Sequence, residues 1–165
     1  MKQILKRLYE QETLNALESK EILTEIASGK HNRTHIASFL SVFLMRSISV
    51  YELKGFRDAL LNLAVKIDLS DFNTIDLCGT GGDGKNTFNI STLASFVVAG
   101  TGQKVSKHGN YGVSSISGSS NVLEYFGYGF TNEEEKLKRQ IDEANICFLH
   151  APLFNPAMKN VAPVR

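Results

Sequence analysis

The sequence has 165 residues, of which 18 are Lys or Arg and 17 are Asp or Glu, so its formal net charge is +1. Apolar residues make up 42% and charged residues 21%, which is typical of a soluble globular protein and argues against disorder. The balanced charge offers no long-range attraction to nucleic acid or anionic membrane, so neither is an expected partner. No apolar run of membrane-spanning length occurs, and the N-terminus becomes charged too early for a signal peptide. Two distant cysteines, Cys78 and Cys147, lack metal-ligand spacing, so a reducing, cytoplasmic location is expected.

The first 70 residues have the periodicity of helices and hold only two of the 13 glycines and no proline. Apolar residues recur there in short stripes at helical spacing, which predicts several packed amphipathic helices. Asn32 stands at an N-cap position, Ser49 and Glu52 form a capping-box pattern, and Gly29 follows a stripe as a C-cap. We therefore expect a helical domain over residues 1–70.

The remaining residues, 71–165, hold the other 11 glycines and all three prolines, and they alternate between strand and helix patterns. The predicted strands are 74–78, 104–107 and 145–149. The predicted helices are 91–99, 119–126 and one that Thr131 and Glu134 cap and that ends near Glu143. This order predicts an α/β domain with a parallel, helix-covered sheet, whose ligands bind at the carboxyl ends of the strands.

A glycine-rich loop, GTGGDG at 79–84, follows the first predicted strand, and NIST at 89–92 opens the next helix. Glycines let successive backbone N–H groups converge, and a helix N-terminus adds free N–H groups and a positive dipole end. Asn89, Ser91 and Thr92 add short polar side chains, so the loop is predicted to cradle phosphate or pyrophosphate. It matches neither a Walker loop nor a Rossmann fingerprint. The alternative interpretation is a tight strand–helix turn.

A second loop, KHGNYGVSSISGSS at 107–120, also lies between a predicted strand and a predicted helix. Lys107 can neutralise a phosphate as a point charge, and the serines can bind phosphate oxygens. His108 and Asn110 can reach an organic substrate, although a single histidine is more often structural. The alternative is a flexible Ser/Gly linker. Two such loops at adjacent strand ends predict a substrate with more than one phosphate.

Three blocks in this order closely resemble the anthranilate phosphoribosyltransferase family of tryptophan biosynthesis. They are GTGGDGKNTFNIST at 79–92, KHGNYGVSSISGSS at 107–120 and PAMKNVAPVR at 156–165. The resemblance covers essentially the whole chain. It implies a helical domain followed by an α/β domain of the nucleoside phosphorylase/phosphoribosyltransferase type, at 1–70 and 71–165, and usually a homodimer. It also implies that the amine of anthranilate displaces pyrophosphate from phosphoribosyl pyrophosphate, with Mg²⁺ as cofactor.

Members of this family are about twice as long as the chain, so the chain resembles their first half. The second half carries more of the sheet and an acidic Asp-Glu pair that holds magnesium, so the 165 residues alone are expected to be inactive. Three positions depart from the family's usual residues. Tyr111 stands where Arg is common, Ile116 where a basic residue is common, and Asn155 where His is common. These departures affect fine positioning more than the class of reaction.

The resemblance assigns phosphoribosyl pyrophosphate to both loops. The assigned residues are Gly79, Gly82, Asp83, Thr87, Asn89, Ile90, Ser91, Thr92, Lys107, His108, Gly109, Asn110, Tyr111, Gly112, Val113, Ser114, Ser115 and Ser119. Ser91 is also assigned as a magnesium ligand. Anthranilate contacts are assigned to Gly79, His108, Asn110 and Arg165, where the alternative for Arg165 is a solvated chain end. No general base is assigned.

Three other functions stay open at this point. A pyrimidine nucleoside phosphorylase has a similar fold, although the NIST and KHGN residues favour the transferase. A nucleic-acid-binding relative would carry a basic groove and altered loops, whereas this chain has a balanced charge and intact loops. A truncated, non-catalytic product is the third.

Overall fold

The computed structural model describes residues 1–79, 88–112 and 116–164. The chain divides into two compact units: a helical unit, Met1–Ala64 with Asn155–Arg165, and an α/β unit, Val65–Phe154. The boundary expected from composition lies near residue 70, where the glycine content rises. The boundary set by contacts between residues lies at Ala64, and it places the last residues, Asn155–Arg165, with the helices. The domain boundaries 1–70 and 71–165 stay a prediction.

Four helices and one short 3₁₀ helix make up the helical unit as far as it is described. They are α1 (Lys2–Tyr9), α2 (Ala16–Ala27), α3 (Arg33–Met45), α4 (Val50–Leu63) and the 3₁₀ helix Pro156–Asn160. Pro156 occupies the first turn of the 3₁₀ helix, as its fixed φ angle favours.

Side-chain caps fix where these helices begin. The Asn32 side chain accepts a hydrogen bond of 2.8 Å from the backbone N–H of His35, which confirms the predicted N-cap. Ser49 and Glu52 form the predicted capping box at α4. Gly29, just beyond α2, has a φ of +76°, a conformation that glycine adopts without strain.

The core of the helical unit is apolar and contains an aromatic group. Its buried side chains are Leu5, Leu8, Leu14, Ile22, Ile26, Ile36, Phe39, Val42 and Val161. Phe39, Phe43 and Phe56 meet edge to face, with ring centroids 5.2–5.9 Å apart, an arrangement that aromatic quadrupoles favour. None of the described helices is both long and apolar enough to cross a bilayer.

The α/β unit is built on two parallel strands, β1 (Val105–Gly109) and β2 (Ile146–His150), paired so that Gly109 lies opposite His150. In the described part of this unit, the helices are α5 (Ile90–Gly100), α6 (Ser119–Tyr125), α7 (Glu134–Ala144) and α8 (Ala151–Phe154), with a 3₁₀ helix at Ser70–Phe72. The α/β class and the parallel sheet agree with the sequence-based prediction. The predicted cap of α7 by Thr131 is wrong, because Glu133 is the N-cap and the Thr131 hydroxyl accepts from the Glu133 N–H instead.

Within the described ranges, the segment predicted as the first strand, 74–78, forms a single parallel bridge, between Ile75 and Val105. Side chains replace the ladder beyond that point. The His108 N–H donates to the Asp76 carboxylate at 3.2 Å, and the Leu77 carbonyl accepts from the Lys107 ammonium at 3.1 Å. The segment therefore runs beside β1 without continuing as a regular strand, and its groups are used to hold side chains at the edge of the sheet.

Two apolar clusters enclose the pair of strands. One consists of Ala99, Val105, Leu123, Ile146 and Phe148. The other consists of Leu137, Ile141, Cys147 and Phe154. Successive residues of β2 enter different clusters because side chains alternate across a strand. The buried sheet thus gives a rigid base to the loops that follow its strands.

Candidate active site at the carboxyl edge of the sheet

The candidate site lies in the α/β unit, where the segment ending at Gly79, strand β1 and strand β2 finish at one edge. The described parts of both glycine-rich loops begin there. The other assigned residues of these loops, Gly82, Asp83, Thr87, Val113, Ser114 and Ser115, lie outside the described residues, as does Arg165.

Gly79 and Ser91 lie in close contact at the start of the first loop. A Cβ atom at Gly79 would stand 2.8 Å from the Ser91 hydroxyl, closer than side-chain atoms tolerate. Glycine here therefore leaves room for the Ser91 hydroxyl against the backbone. This is a local reason for a glycine at this position, in addition to any demand for loop flexibility.

The N-terminus of α5 has polar groups that are not used within the helix. Asn89 is the N-cap residue, but its side chain makes no capping hydrogen bond. The Thr92 hydroxyl is buried and has no hydrogen-bond partner among the described residues, which is costly unless a ligand or water satisfies it. Ile90, in the same turn, is 57% exposed. The N–H groups of Ile90 and Thr92 already bond to the carbonyls of Phe88 and Asn89, at 2.8 and 3.1 Å. The polar groups that this helix start offers to an anion therefore include the Asn89 and Ser91 side chains.

Lys107 is the most unusual charged side chain of the site. Only 2% of it is exposed, although it lies on a strand of the sheet. Its ammonium donates to the backbone carbonyls of Leu77 at 3.1 Å and His108 at 3.4 Å. Burial lowers the pKa of Lys107, while Cys78 and Asp76 partly oppose that effect. No carboxylate within the described ranges forms a salt bridge with it, so its positive charge is held in place but not neutralised.

His108 is held by a carboxylate and faces a thiol. Its Nδ1 lies 2.5 Å from an oxygen of Asp76, and its Nε2 lies 3.1 Å from Sγ of Cys78. Burial, followed by the charge of Asp76, raises the pKa of the Cys78 thiol, so it is a neutral thiol near pH 7. Sequence analysis selected His108 but missed both partners. The signal available was the alternation in TIDLC, which places Asp76 and Cys78 on one face of an extended segment.

The second loop is held by α6 and is not a free linker where it is described. The Asn121 side chain accepts from the N–H groups of Gly112 at 3.0 Å and Gly118 at 2.9 Å. The Asn110 carbonyl accepts from the Ser120 N–H at 3.1 Å and from the Ser119 hydroxyl at 3.3 Å. These bonds fix the backbone of residues 110–112.

Glycines allow the second loop to lie close to α6. A Cβ at Gly109 would collide with the Ser119 side chain, and a Cβ at Gly118 would collide with the backbone of residues 110–112. Tyr111, which replaces the family's usual Arg, donates its hydroxyl to Glu124 at 2.7 Å. Glu124 raises the pKa of that phenol chiefly through this hydrogen bond. Ile116, the second departure, is 99% exposed.

His150 at the end of β2 is a buried part of the site that sequence analysis did not select. A hydrogen bond of 2.8 Å joins its Nδ1 to the Ser120 hydroxyl. It stacks on Phe130 at 4.4 Å and meets Tyr111 edge-on at 4.7 Å. Burial lowers the pKa of His150, so the ring is neutral near pH 7 and supports the second loop.

The described residues of the site contain no cluster of three or more His, Cys, Asp or Glu side chains that could hold a metal alone. The oxygen donors at the start of α5 are instead the hydroxyls of Ser91 and Thr92. A hard cation such as Mg²⁺ takes few protein oxygens when substrate phosphates complete its coordination. The Ser91 hydroxyl, in the space that glycine leaves at position 79, fits that kind of shared site.

Two family models match the chain. One is described as "Glycosyl transferase family, helical bundle domain" and matches residues 2–64; the other is described as "Glycosyl transferase family, a/b domain" and matches residues 71–165. The chain is similar over all 165 residues to anthranilate phosphoribosyltransferases of Christiangramia forsetii, at 62% identity, and Flavobacterium psychrophilum, at 65%. It covers 50% of each. The chain thus spans about half the length of these curated relatives.

The chain is also similar to solved structures of anthranilate phosphoribosyltransferases, again over about half of their length. The anthranilate phosphoribosyltransferase of Thermus thermophilus has a TM-score of 0.83 at 34% identity, with 98% of this chain and 49% of that chain covered. That of Saccharomyces cerevisiae, solved with phosphoribosyl pyrophosphate and Mg, has a TM-score of 0.85 at 28% identity and the same coverage. A yeast variant solved with 4-fluoroanthranilate has a TM-score of 0.78 at 26% identity, with 98% and 47% covered.

Proposed function

The chain belongs to the glycosyl transferase family that these two domain models describe, and on that premise we propose that it is the phosphoribosyl pyrophosphate-binding half of an anthranilate phosphoribosyltransferase. The reaction transfers the phosphoribosyl group to the amine of anthranilate, gives N-(5-phosphoribosyl)anthranilate and pyrophosphate, and belongs to tryptophan biosynthesis. The buried ammonium of Lys107, which forms a salt bridge with none of the described carboxylates, carries the proposal, because an anionic substrate supplies a partner of opposite charge.

The groups around Lys107 divide into two sets. The start of α5, with the Ser91 hydroxyl beside Gly79 and a Thr92 hydroxyl that has no partner among the described residues, is suited to the pyrophosphate moiety. The backbone of the second loop, fixed by Asn121, is suited to further phosphate oxygens. Hydrogen-bond donors that are fixed before binding stabilise charge on the leaving group without the cost of reorganisation. Gly79, His108 and Asn110 are left to contact anthranilate, together with Arg165.

The hydroxyl of Ser91 is proposed as the protein's magnesium ligand in this half. When bound, Mg²⁺ neutralises the charge that develops on departing pyrophosphate. Ser91 holds its hydroxyl toward Gly79, while its backbone carbonyl accepts from the Ser95 hydroxyl at 2.6 Å. This carbonyl bond keeps the first turn of α5 in place, so the hydroxyl is positioned before the substrate arrives.

A cytoplasmic homodimer is the proposed form of the enzyme. Both cysteines are free thiols, in keeping with a reducing compartment. Large apolar side chains around the end of α3 and the start of α4 are exposed: Leu44, Met45, Val50 and Tyr51 are 69–87% accessible. Exposed apolar groups in one region favour burial against a partner, and a second copy is the partner that the resemblance implies.

Product analysis of the full-length protein tests the proposed function. With anthranilate, phosphoribosyl pyrophosphate and Mg²⁺, we expect phosphoribosyl anthranilate and an equal amount of pyrophosphate. A parallel reaction with uridine or thymidine and inorganic phosphate should release no base, whereas base release without anthranilate consumption would support a nucleoside phosphorylase instead. The 165 residues alone are expected to give no product above a blank without enzyme, because the relatives are about twice as long.

A further inference from the structure

Asp76 determines which nitrogen of His108 carries the proton. One carboxylate oxygen accepts from the His108 backbone N–H at 3.2 Å, and the other lies 2.5 Å from Nδ1. An ionised carboxylate can only accept hydrogen bonds, so Nδ1 must be the protonated nitrogen. In the neutral ring, Nε2 is then an unprotonated acceptor. The carboxylate therefore fixes both the orientation and the tautomer of the imidazole.

The acceptor nitrogen of His108 faces a weak donor. Sγ of Cys78 lies 3.1 Å from Nε2 and 3.3 Å from the Gly79 carbonyl. A neutral thiol is a poor hydrogen-bond donor, so an amine can displace it at little cost. The His108 and Asp76 side chains are 51% and 40% exposed, which leaves Nε2 within reach of a ligand at the edge of the sheet.

This geometry supplies the base that the sequence did not identify. Resting on the proposed function, we propose that His108 accepts the proton of the anthranilate amine at Nε2, and that Asp76 is the positioning residue that makes it an acceptor. When no amine is bound, the Cys78 thiol forms the hydrogen bond to Nε2. Lys107, the residue before it in β1, directs its ammonium to backbone carbonyls. Among the described residues, Asp76 and Cys78 are therefore the titratable side chains that contact the ring.

The proton transfer completes the balance of the reaction. The amine nitrogen forms a bond to the ribose C1, and the C1–O bond to pyrophosphate breaks with its electron pair on the leaving oxygen. The amine proton passes to Nε2, which gives an imidazolium that the Asp76 carboxylate stabilises. Release of that proton to water restores the neutral ring. A positioned base of this kind contributes roughly a hundredfold or more to the rate.

Asp76→Asn in the full-length protein tests the role of the carboxylate, with Asp71→Asn as a matched change at an exposed aspartate of the same unit. We expect Asp76→Asn to lower kcat about tenfold or more, and to change the KM for phosphoribosyl pyrophosphate less than about threefold. The ring of His108 should also lose its fixed Nδ1–H tautomer in this variant, because an amide can donate as well as accept a hydrogen bond. Asp71→Asn should match wild type throughout.

A second measurement does not depend on the variant folding. In ¹⁵N-labelled wild-type protein, the ring nitrogens of His108 should show the Nδ1–H tautomer at neutral pH. An Nε2–H tautomer in the wild-type protein would overturn the proposal, and so would an unchanged kcat in folded Asp76→Asn. Failure of the proposed function looks different, since the wild-type protein would then make no phosphoribosyl anthranilate at all.

Discussion

Among the described residues, each of the two units buries one charged side chain almost completely, and the hydrogen-bond partners of these two side chains differ. Glu52 of the helical unit is fully buried and meets a complete set of partners. Arg46 donates to its two carboxylate oxygens at 2.6 and 3.0 Å, and the backbone N–H groups of Ser49 and Leu14 add bonds of 2.8 and 3.1 Å. The Glu52 carboxylate thus links α4 to Leu14, in the segment just before α2.

Lys107 of the α/β unit has no comparable set of partners among the residues that the structure describes. Its ammonium meets two backbone carbonyls, and none of the described carboxylates pairs with it. A buried charge with its counter-charge present belongs to the structure of the fold, whereas a buried charge whose counter-charge is missing is prepared for a ligand of opposite sign. Both side chains are buried, so burial does not distinguish a structural ion pair from a binding group. The distinguishing feature is whether a partner of opposite charge is present.

Glu52→Ala should give the largest effect on stability. It removes a carboxylate that binds Arg46 and two backbone N–H groups, and it leaves these donors without a partner in a buried place. We expect the free energy of unfolding to fall by about 3 kcal/mol, measured by urea denaturation. Glu21→Ala, at an exposed position of α2, should cost less than about 0.5 kcal/mol. Equal losses in the two variants would show that the network does not stabilise the fold.

The same carboxylate predicts how stability depends on pH. Burial alone would raise the pKa of Glu52, but Arg46 and the backbone bonds outweigh it and lower the pKa from 4.5 to about 2. The stabilisation is therefore fully present above pH 4.5 and is lost as the pH falls toward 2. In denaturation at pH 7, 5, 4 and 3, the difference between wild type and Glu52→Ala should shrink only below about pH 5. A constant difference would contradict the assigned pKa.

Gly79→Ala should give the next largest effect, in this case on magnesium-dependent activity. The new Cβ would stand 2.8 Å from the Ser91 hydroxyl and must displace it. We expect the Mg²⁺ concentration for half-maximal activity of the full-length protein to rise about tenfold, or about 1.4 kcal/mol, and Ser91→Ala to act in the same direction. Gly100→Ala is the control, since a Cβ there meets nothing within 4 Å. An unchanged Mg²⁺ requirement in both site variants would remove Ser91 as a ligand.

Lys107→Met should change stability least, in contrast to Glu52→Ala. Because burial lowers the pKa of Lys107, the folded chain holds the proton less tightly than the unfolded chain, so the charge opposes folding below its ordinary pKa of 10.5. Methionine keeps most of the buried stem and removes the charge. The free energy of unfolding should stay within about 1 kcal/mol of wild type or increase. A loss as large as that of Glu52→Ala would make Lys107 a structural residue.

The elements that local sequence determines were predicted well. Capping side chains act within three residues, so the starts of α3 and α4 follow from Asn32 and Ser49 alone. Chain segments whose partners are distant were predicted less well. Residues 74–78 have a strand composition, yet the Asp76 side chain takes the His108 N–H that a ladder would use. The residue pattern within 74–78 cannot show whether the His108 N–H will bond to a backbone carbonyl or to the Asp76 side chain.

The candidate site shows the same division. The loops at the strand ends were found because glycines and short polar residues follow apolar runs. Asp76, Cys78 and Ser120 were missed because each contacts its histidine from about 30 positions away in the sequence. Such partners depend on the parallel register of neighbouring segments, which the order of elements predicts only in outline. The residue types were visible, but their pairing required the fold.

Calorimetric titration with phosphoribosyl pyrophosphate and Mg²⁺ tests most directly whether Lys107 is the binding charge of this chain. Wild-type full-length protein, Lys107→Met and Lys136→Met, which removes an exposed lysine of α7, are compared at the same pH and salt. A charged hydrogen bond to phosphate is worth about 1.5–3 kcal/mol, so Lys107→Met should bind roughly ten- to a hundredfold more weakly. Lys136→Met should bind as wild type does. Wild-type affinity in a stably folded Lys107→Met protein would contradict the account.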